Sequence, residues 1–109
     1  MKHKHDTFIS ARLKLDSELY NQLKDLGFVN SKAQLGRLCG KNDSYFATMH
    51  HKGYGLQLGS LTILASRFSR LAETELDSNR QIQINRCMDI VNKTIDAKIR
   101  LNEAENAFN

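Results

Sequence analysis

Polar side chains between Lys41 and Lys52 have the types and the spacing that suit contact with bases and phosphates. The helical spacing of Phe46 and Met49 predicts that both face the interior, which leaves an outward strip on the opposite side. Hydroxyls can donate to or accept from base edges, and lysine and tyrosine suit phosphate oxygens. The strip and its flanks consist of Lys41, Asn42, Ser44, Tyr45, Ala47, Thr48, His51 and Lys52.

The residues in front of this strip predict a second short helix. Ser31 and Gln34 form a Ser-x-x-Gln capping box at a helix start, and Gly40 can take the left-handed conformation that ends a helix. The next helix can begin at Asn42 or Asp43, which are both good N-caps. Asn42 is suited either to reading an adenine or to capping alone. Two helices joined by such a turn form a helix-turn-helix, whose second helix lies in the major groove of DNA.

The first helix of this motif also carries groups that suit a phosphate backbone. Lys32, Gln34 and Arg37 are placed to contact the phosphate backbone of DNA where that helix crosses it. The predicted interior contains the large residues Leu35, Phe46 and Met49. It also contains the small residues Gly36 and Cys39, which permit the two helices to cross closely.

On these residues the stretch from about Ser31 to Phe68 resembles the lambda-repressor-like (Cro/C1-type) helix-turn-helix family. The matching positions are Gln34, Leu35, Gly36, Gly40, Phe46, Met49 and Gly53, followed by a helix through Leu61, Leu64, Ala65 and Phe68. The chain departs from the family at Lys41, where an aliphatic residue is usual, and in having no proline. Gly36 stands where alanine is commoner, which should weaken that helix by roughly 1 kcal/mol. The resemblance implies an all-α bundle of four to five helices that binds double-stranded DNA.

Positive charge is concentrated around the same motif. Residues 1–55 hold nine Lys/Arg and five Asp/Glu, whereas residues 56–109 hold seven of each. From Leu26 to Ala72 the only acid is Asp43. A positive field at this place is typical of a protein that binds phosphates, although a plain solvated basic surface is the alternative.

The N-terminal residues favour an extended segment. Apolar residues at every second position from Ile9 to Leu15 alternate with polar ones, a strand pattern with a basic outer face. We therefore predict a strand or basic arm over residues 1–15, with a backward extension of the first helix as the alternative. Asp16 is then the predicted N-cap of a helix that carries Leu19 and Leu23.

The C-terminal residues 76–109 predict one long helix with two neighbouring apolar stripes. Two stripes are more than one helix needs to cover a small core, so we predict that one of them meets a second copy. The alternative is that both serve the same chain. The predicted interface residues are Ile84, Cys87, Ile90, Val91, Ile95 and Leu101. The isolated Cys39 and Cys87 are expected to be buried thiols rather than a disulfide or a metal pair.

The remaining features exclude several classes of protein. The sequence has no apolar run of membrane-spanning length and no signal-peptide core, which favours a cytoplasmic, nucleoid-associated protein. It has no glycine-rich phosphate loop, no Cys/His ligand spacing and no nucleophile–base pattern, so we expect no enzyme, no cofactor and no metal.

We therefore expect an all-α transcriptional regulator with a DNA-binding domain at residues 16–75 and a dimerisation helix at residues 76–109. The resemblance implies a repressor of phage, plasmid or other mobile-element type that binds a palindromic operator as a homodimer. The alternative is an antitoxin or protein-interaction module whose C-terminal helix binds a partner protein.

Overall fold

Five α-helices make up the part of the chain that the structure describes. The structure is a computed structural model that describes the backbone of residues 4–107 and the side chains of residues 6–107. The helices are α1 (Lys4–Asp25), α2 (Lys32–Leu38), α3 (Tyr45–His51), α4 (Leu58–Thr74) and α5 (Ser78–Asn106). Residues 4–107 contain no strand, so the predicted all-α class is confirmed for this part of the chain.

The N-terminal strand or arm is a wrong prediction for residues 4–15, because α1 already begins at Lys4. The alternation of apolar and polar residues wrongly suggested a strand because α1 is contacted by other segments on more than one side. Ile9 lies against the turn at Gly53, where an added Cβ would be 3.2 Å from its Cγ2, while Leu15 faces α5. Asp16 is not a cap but a buried residue inside the helix. Residues 1–3 of the predicted segment lie outside the described residues.

The core lies where α5 packs along both α1 and α4, with the α2–α3 pair set against α1 and α4. Because α5 is contacted on two sides, both of its apolar stripes are used largely within the chain. The buried apolar residues include Leu19, Leu23, Leu35, Phe46, Leu61, Leu64, Phe68, Ile84, Cys87 and Val91.

The position of α5 corrects half of the predicted dimer interface. Ile84, Cys87 and Val91 are fully buried in the core of their own chain, so a second folded copy cannot contact them. The prediction is wrong for these three residues. The other three are only partly buried, and their place at an interface stays a prediction: Ile90, Ile95 and Leu101.

The two cysteines are buried free thiols, as expected. Burial raises the pKa of Cys39 and of Cys87 to about 11, because the protein interior disfavours a thiolate. Both side chains therefore pack as small apolar groups at neutral pH.

Candidate nucleic-acid interface

The start of α2 is fixed by the predicted capping residues. Ser31 Oγ accepts a hydrogen bond from the Gln34 backbone N–H at 3.1 Å. The Gln34 side chain reaches back to the backbone N–H of Asn30 at 2.8 Å, one residue earlier than a capping box requires. Gln34 is therefore half-buried and engaged in holding the helix end, which leaves it less free for a phosphate than predicted.

The turn between α2 and α3 depends on two glycines. Gly40 has a φ of 78°, and the backbone N–H groups of Gly40 and Lys41 donate to the carbonyls of Arg37 and Gly36 at 2.9 and 3.0 Å. This pattern ends α2 with a left-handed glycine. A Cβ on Gly36 would lie 2.8 Å from the Asn42 carbonyl oxygen. A glycine at this position is thus a packing requirement of the crossing between α2 and α3.

α3 begins at Tyr45, later than the predicted start at Asn42 or Asp43. The residues before it form a turn in which Ser44 Oγ donates to Asn42 Oδ1 at 3.0 Å and the Tyr45 N–H donates to the Asn42 carbonyl at 3.2 Å. Ser44 stands at the N-cap position without a side-chain bond to the helix. Asn42 is therefore exposed beside the helix start and does not cap it.

Tyr45 is a wrong prediction as a DNA contact. Its side chain is only 8% exposed, its hydroxyl lies 2.8 Å from Ser60 Oγ, and the hydroxyl accepts the Gln57 N–H at 3.2 Å. A buried hydroxyl with these partners ties α3 to the start of α4 and cannot reach a phosphate. The helical spacing placed Tyr45 at the edge of the strip, where sequence alone does not separate buried from exposed residues.

The rest of the outward strip is exposed, and the predicted interior is buried. Phe46 and Met49 face the core at 3% and 8% exposure. The exposed side chains on the opposite side of α3 and around its ends are Lys41, Asn42, Ser44, Ala47, Thr48, His51 and Lys52. We call these seven residues the recognition surface.

Two cations beside the recognition surface, Lys32 and Arg37, differ in the groups that lie near them. Lys32 Nζ lies 5.4 Å from the centre of the Phe46 ring and 5.8 Å from that of Tyr20, a weak attraction that leaves the ammonium exposed. Arg37 is less available than predicted, because its guanidinium lies 2.7 Å from the Asp43 carboxylate. That pair also neutralises the only acid between Leu26 and Ala72.

A buried ionic cluster behind this surface was missed by sequence reasoning. Lys98 Nζ lies 2.7 Å from Asp16 Oδ1 and donates to the Leu56 carbonyl at 2.7 Å. Asp16 Oδ2 accepts the Leu56 N–H, also at 2.7 Å. The cluster joins α1, α5 and the segment between α3 and α4. One sequence feature could have revealed it, because Lys98 continues the helical spacing of the buried Cys87, Val91 and Thr94.

The two charges of this cluster are held in the protein interior. Burial raises the pKa of Asp16 above its ordinary value, and the attraction to Lys98 opposes that shift. Burial lowers the pKa of the Lys98 ammonium, and Asp16 opposes that shift in turn. Such a pair fixes geometry because each partner would be strongly destabilised without the other.

The described residues form neither a cluster of metal ligands nor a membrane-spanning helix. Among the described residues, no three His, Cys, Asp or Glu side chains come together as metal ligands. Within residues 4–107, no helix is both long enough and apolar enough to cross a membrane.

Comparison with known proteins places the chain in a family. The model of a family of unknown function, DUF6626, matches residues 17–107. No curated protein and no solved structure matches the chain. The match covers α2 to α5 and the C-terminal part of α1, and the chain therefore belongs to the DUF6626 family.

Proposed function

We propose that the protein is a sequence-specific DNA-binding transcriptional regulator in which α2 and α3 act as a lambda-repressor-like helix-turn-helix. The observation that carries this proposal is the recognition surface. It presents hydroxyl, amide, imidazole and ammonium groups on one exposed side of a short helix whose other side is anchored in the core. In a major groove, Ser44 and Thr48 would contact base edges, and Ala47 would contact a thymine methyl group.

The phosphate contacts would come from the lysines around this helix. Lys41 stands in the turn before α3, Lys52 follows its last residue, and Lys32 begins α2. All three are exposed. Cations on both sides of a recognition helix can hold it in register on the phosphate backbone while the helix reads bases.

The rigidity of the motif supports the same function. α3 has only seven residues, but its end is set by Gly53, with a φ of 77°, and the following segment is held by the buried Asp16–Lys98 pair. A helix whose end is fixed in this way loses little conformational freedom on binding, which favours specific contacts. Occupancy of an operator would then block polymerase, as expected of a small repressor of phage, plasmid or other mobile-element type.

The first test is selection of bound sequences from a random duplex library, followed by measurement of affinity against salt concentration. We expect enrichment of one sequence and a steep fall of affinity with salt, because phosphate contacts release counterions. No binding to any duplex at low salt would contradict the proposal and favour a protein partner instead.

A pair of charge variants tests the phosphate contacts. Lys52→Ala should weaken binding to selected and random duplexes alike and reduce the salt slope by about 1, because one phosphate contact is lost. The matched control is Arg70→Ala, which removes an exposed cation on α4 about 15 Å along the helix from Ser60. Equal losses in both variants would show that the effect is general charge and not this surface.

A further inference from the structure

A long groove runs along the surface between α1 and α5. The helices are antiparallel, because Arg12 near the start of α1 lies 2.7 Å from Glu105 near the end of α5, whereas Asp25 shares the opposite end of the groove with Ile90. From Ala11 to Asp25 the groove follows α1 for about 21 Å. One depression in the groove, lined by residues such as Leu15 and Leu101, has a volume of about 470 Å³.

The floor of the groove is apolar and only half-covered. The apolar residues towards the two ends of the floor are partly exposed and in contact with water, whereas Leu19 and Thr94 in its middle stretch are buried. Exposed apolar residues grouped along a groove of this length are typical of an interaction surface. The floor residues are Ala11, Leu15, Leu26, Ile90, Ala97 and Leu101.

The two rims of the groove carry opposite charges. The rim on α1 has two acids and one base, which are Glu18, Asp25 and Lys14. The rim on α5 has three bases and one acid, which are Arg86, Lys93, Arg100 and Asp89. A partner that covers the floor must therefore bring positive charge to one rim and negative charge to the other.

We infer that this partner is a second copy of the chain, packed with α1 of each copy over α5 of the other. A two-fold axis parallel to the groove produces this arrangement and keeps residues at the same level opposite each other. Glu18 and Lys93 line the same stretch of the groove, as do Asp25 and Arg86. An axis across the groove would set α1 over α1 and bring acids against acids. Lys14 and Asp89 oppose the pairing of acids with bases, because they share their stretches of the groove with Arg100 and Asp25. The rims nevertheless keep net charges of opposite sign, and charge therefore favours the first arrangement.

This dimer determines how two recognition surfaces would be presented, a step that rests on the proposed function. Ile9 contacts the turn after α3, and the Tyr20 ring lies 6.0 Å from that of Phe46, so this side of α1 faces α3. At about 100° per residue, Leu15 and Gln22 project about 120–160° around α1 from Ile9 and Tyr20, on the side turned away from α3. The two recognition surfaces thus face away from each other, and the dimer holds two duplex segments instead of reading one palindromic operator.

The test of the groove is the mass of the full chain in solution without DNA, measured by sedimentation equilibrium. The wild-type chain should be a dimer. One variant carries Glu18→Lys with Asp25→Lys, and a second carries Arg86→Glu with Lys93→Glu. All four positions are exposed, so both variants should keep the helical circular dichroism of the wild type. Each should weaken self-association by about tenfold or more, because four attractive contacts per dimer become repulsive.

Mixing the two variants gives the sharpest result. In a mixed dimer both halves of the interface again join an acidic rim to a basic rim, so association should return to near the wild-type strength. The matched control is Glu73→Lys, an exposed charge reversal on α4 that should leave the mass unchanged. A monomeric wild type, or a mixture that fails to regain dimers, would overturn the assignment of this groove.

A second measurement separates this inference from the proposed function. An immobilised duplex of the selected sequence is loaded with protein and tested for capture of a second, labelled duplex. The wild type should capture it, and each charge variant alone should bind the first duplex without capturing the second. A dimer that binds no duplex would overturn the proposed function and leave the groove intact. A dimer that binds only a single palindromic duplex would contradict the inference that the two recognition surfaces face away from each other.

Discussion

The recognition surface and the Asp16–Lys98 cluster are built from the same kinds of group, but the protein uses them in opposite ways. In the recognition surface, hydroxyl and ammonium groups such as those of Thr48 on α3 and Lys52 just after it are exposed to solvent. In the cluster, Asp16 and Lys98 are 1% and 3% exposed and are bonded to each other and to the Leu56 backbone. Burial, rather than residue type, decides whether a charge is available for binding or for holding the fold.

The two regions are linked through the segment that follows α3. Leu56 stands five residues after His51, the end of α3, and its N–H and carbonyl are both held by the buried pair. The cluster therefore holds in place the segment that follows α3, and with it the end of the recognition surface. Damage to the cluster should reduce the amount of folded protein, whereas damage to the surface should change only what the folded protein binds.

The largest expected effect comes from breaking the buried pair. Asp16→Ala leaves the Lys98 ammonium buried without its carboxylate and the Leu56 N–H without its acceptor. We expect a loss of about 3–5 kcal/mol in the free energy of unfolding, because an uncompensated buried charge is strongly destabilising. Chemical denaturation of the variant and the wild type measures this difference.

The matched control replaces both charges by apolar groups. Asp16→Leu with Lys98→Met removes the unpaired charge and should recover part of the lost stability, although the Leu56 backbone groups stay unpaired at a cost of about 1–3 kcal/mol each. A single variant as stable as the wild type would contradict the structural role of the cluster.

A smaller effect is expected at the crossing of α2 and α3. Gly36→Ala improves helix propensity by about 1 kcal/mol, but its Cβ would meet the Asn42 carbonyl oxygen at 2.8 Å. Overpacking should outweigh the gain and destabilise the protein by a net of about 1–2 kcal/mol. The midpoint of thermal unfolding is the measurement.

Gly59 provides the control for this substitution. It lies in α4, and nothing lies within 4 Å of a Cβ built on it. Gly59→Ala should therefore stabilise the protein by up to about 1 kcal/mol through helix propensity alone. If both alanine variants raised the unfolding midpoint, the close crossing of α2 and α3 would not be a constraint on the fold.

The features that sequence predicted correctly are those with local causes. The cap at Ser31 and the end of α2 at Gly40 each follow from the conformational preferences of a few adjacent residues. The buried positions of Phe46 and Met49 follow from helical spacing. These are short-range properties, so they can be predicted from residues that are close together in the sequence.

The features that sequence missed depend on contacts between distant segments. The pairing of Asp16 with Lys98 joins residues on two different helices, and nothing near Asp16 distinguishes a buried ion from an N-cap. Tyr45 is buried because Ser60 offers its hydroxyl a partner. Ile84 is buried because α5 packs against two neighbours, which its own pattern of apolar residues cannot reveal.

The most direct test of the recognition surface is the ratio of affinities for the selected and the random duplex. Ser44→Ala with Thr48→Ala removes two exposed hydroxyls, so the ratio should fall by about tenfold while affinity for random duplex stays nearly constant. The matched control is Thr62→Ala with Thr74→Ala, exposed residues on α4 whose hydroxyls bond only to their own helix carbonyls, and it should leave the ratio unchanged. Equal losses for both duplexes in the Ser44 and Thr48 variant would contradict the assignment of α3 as the helix that reads DNA.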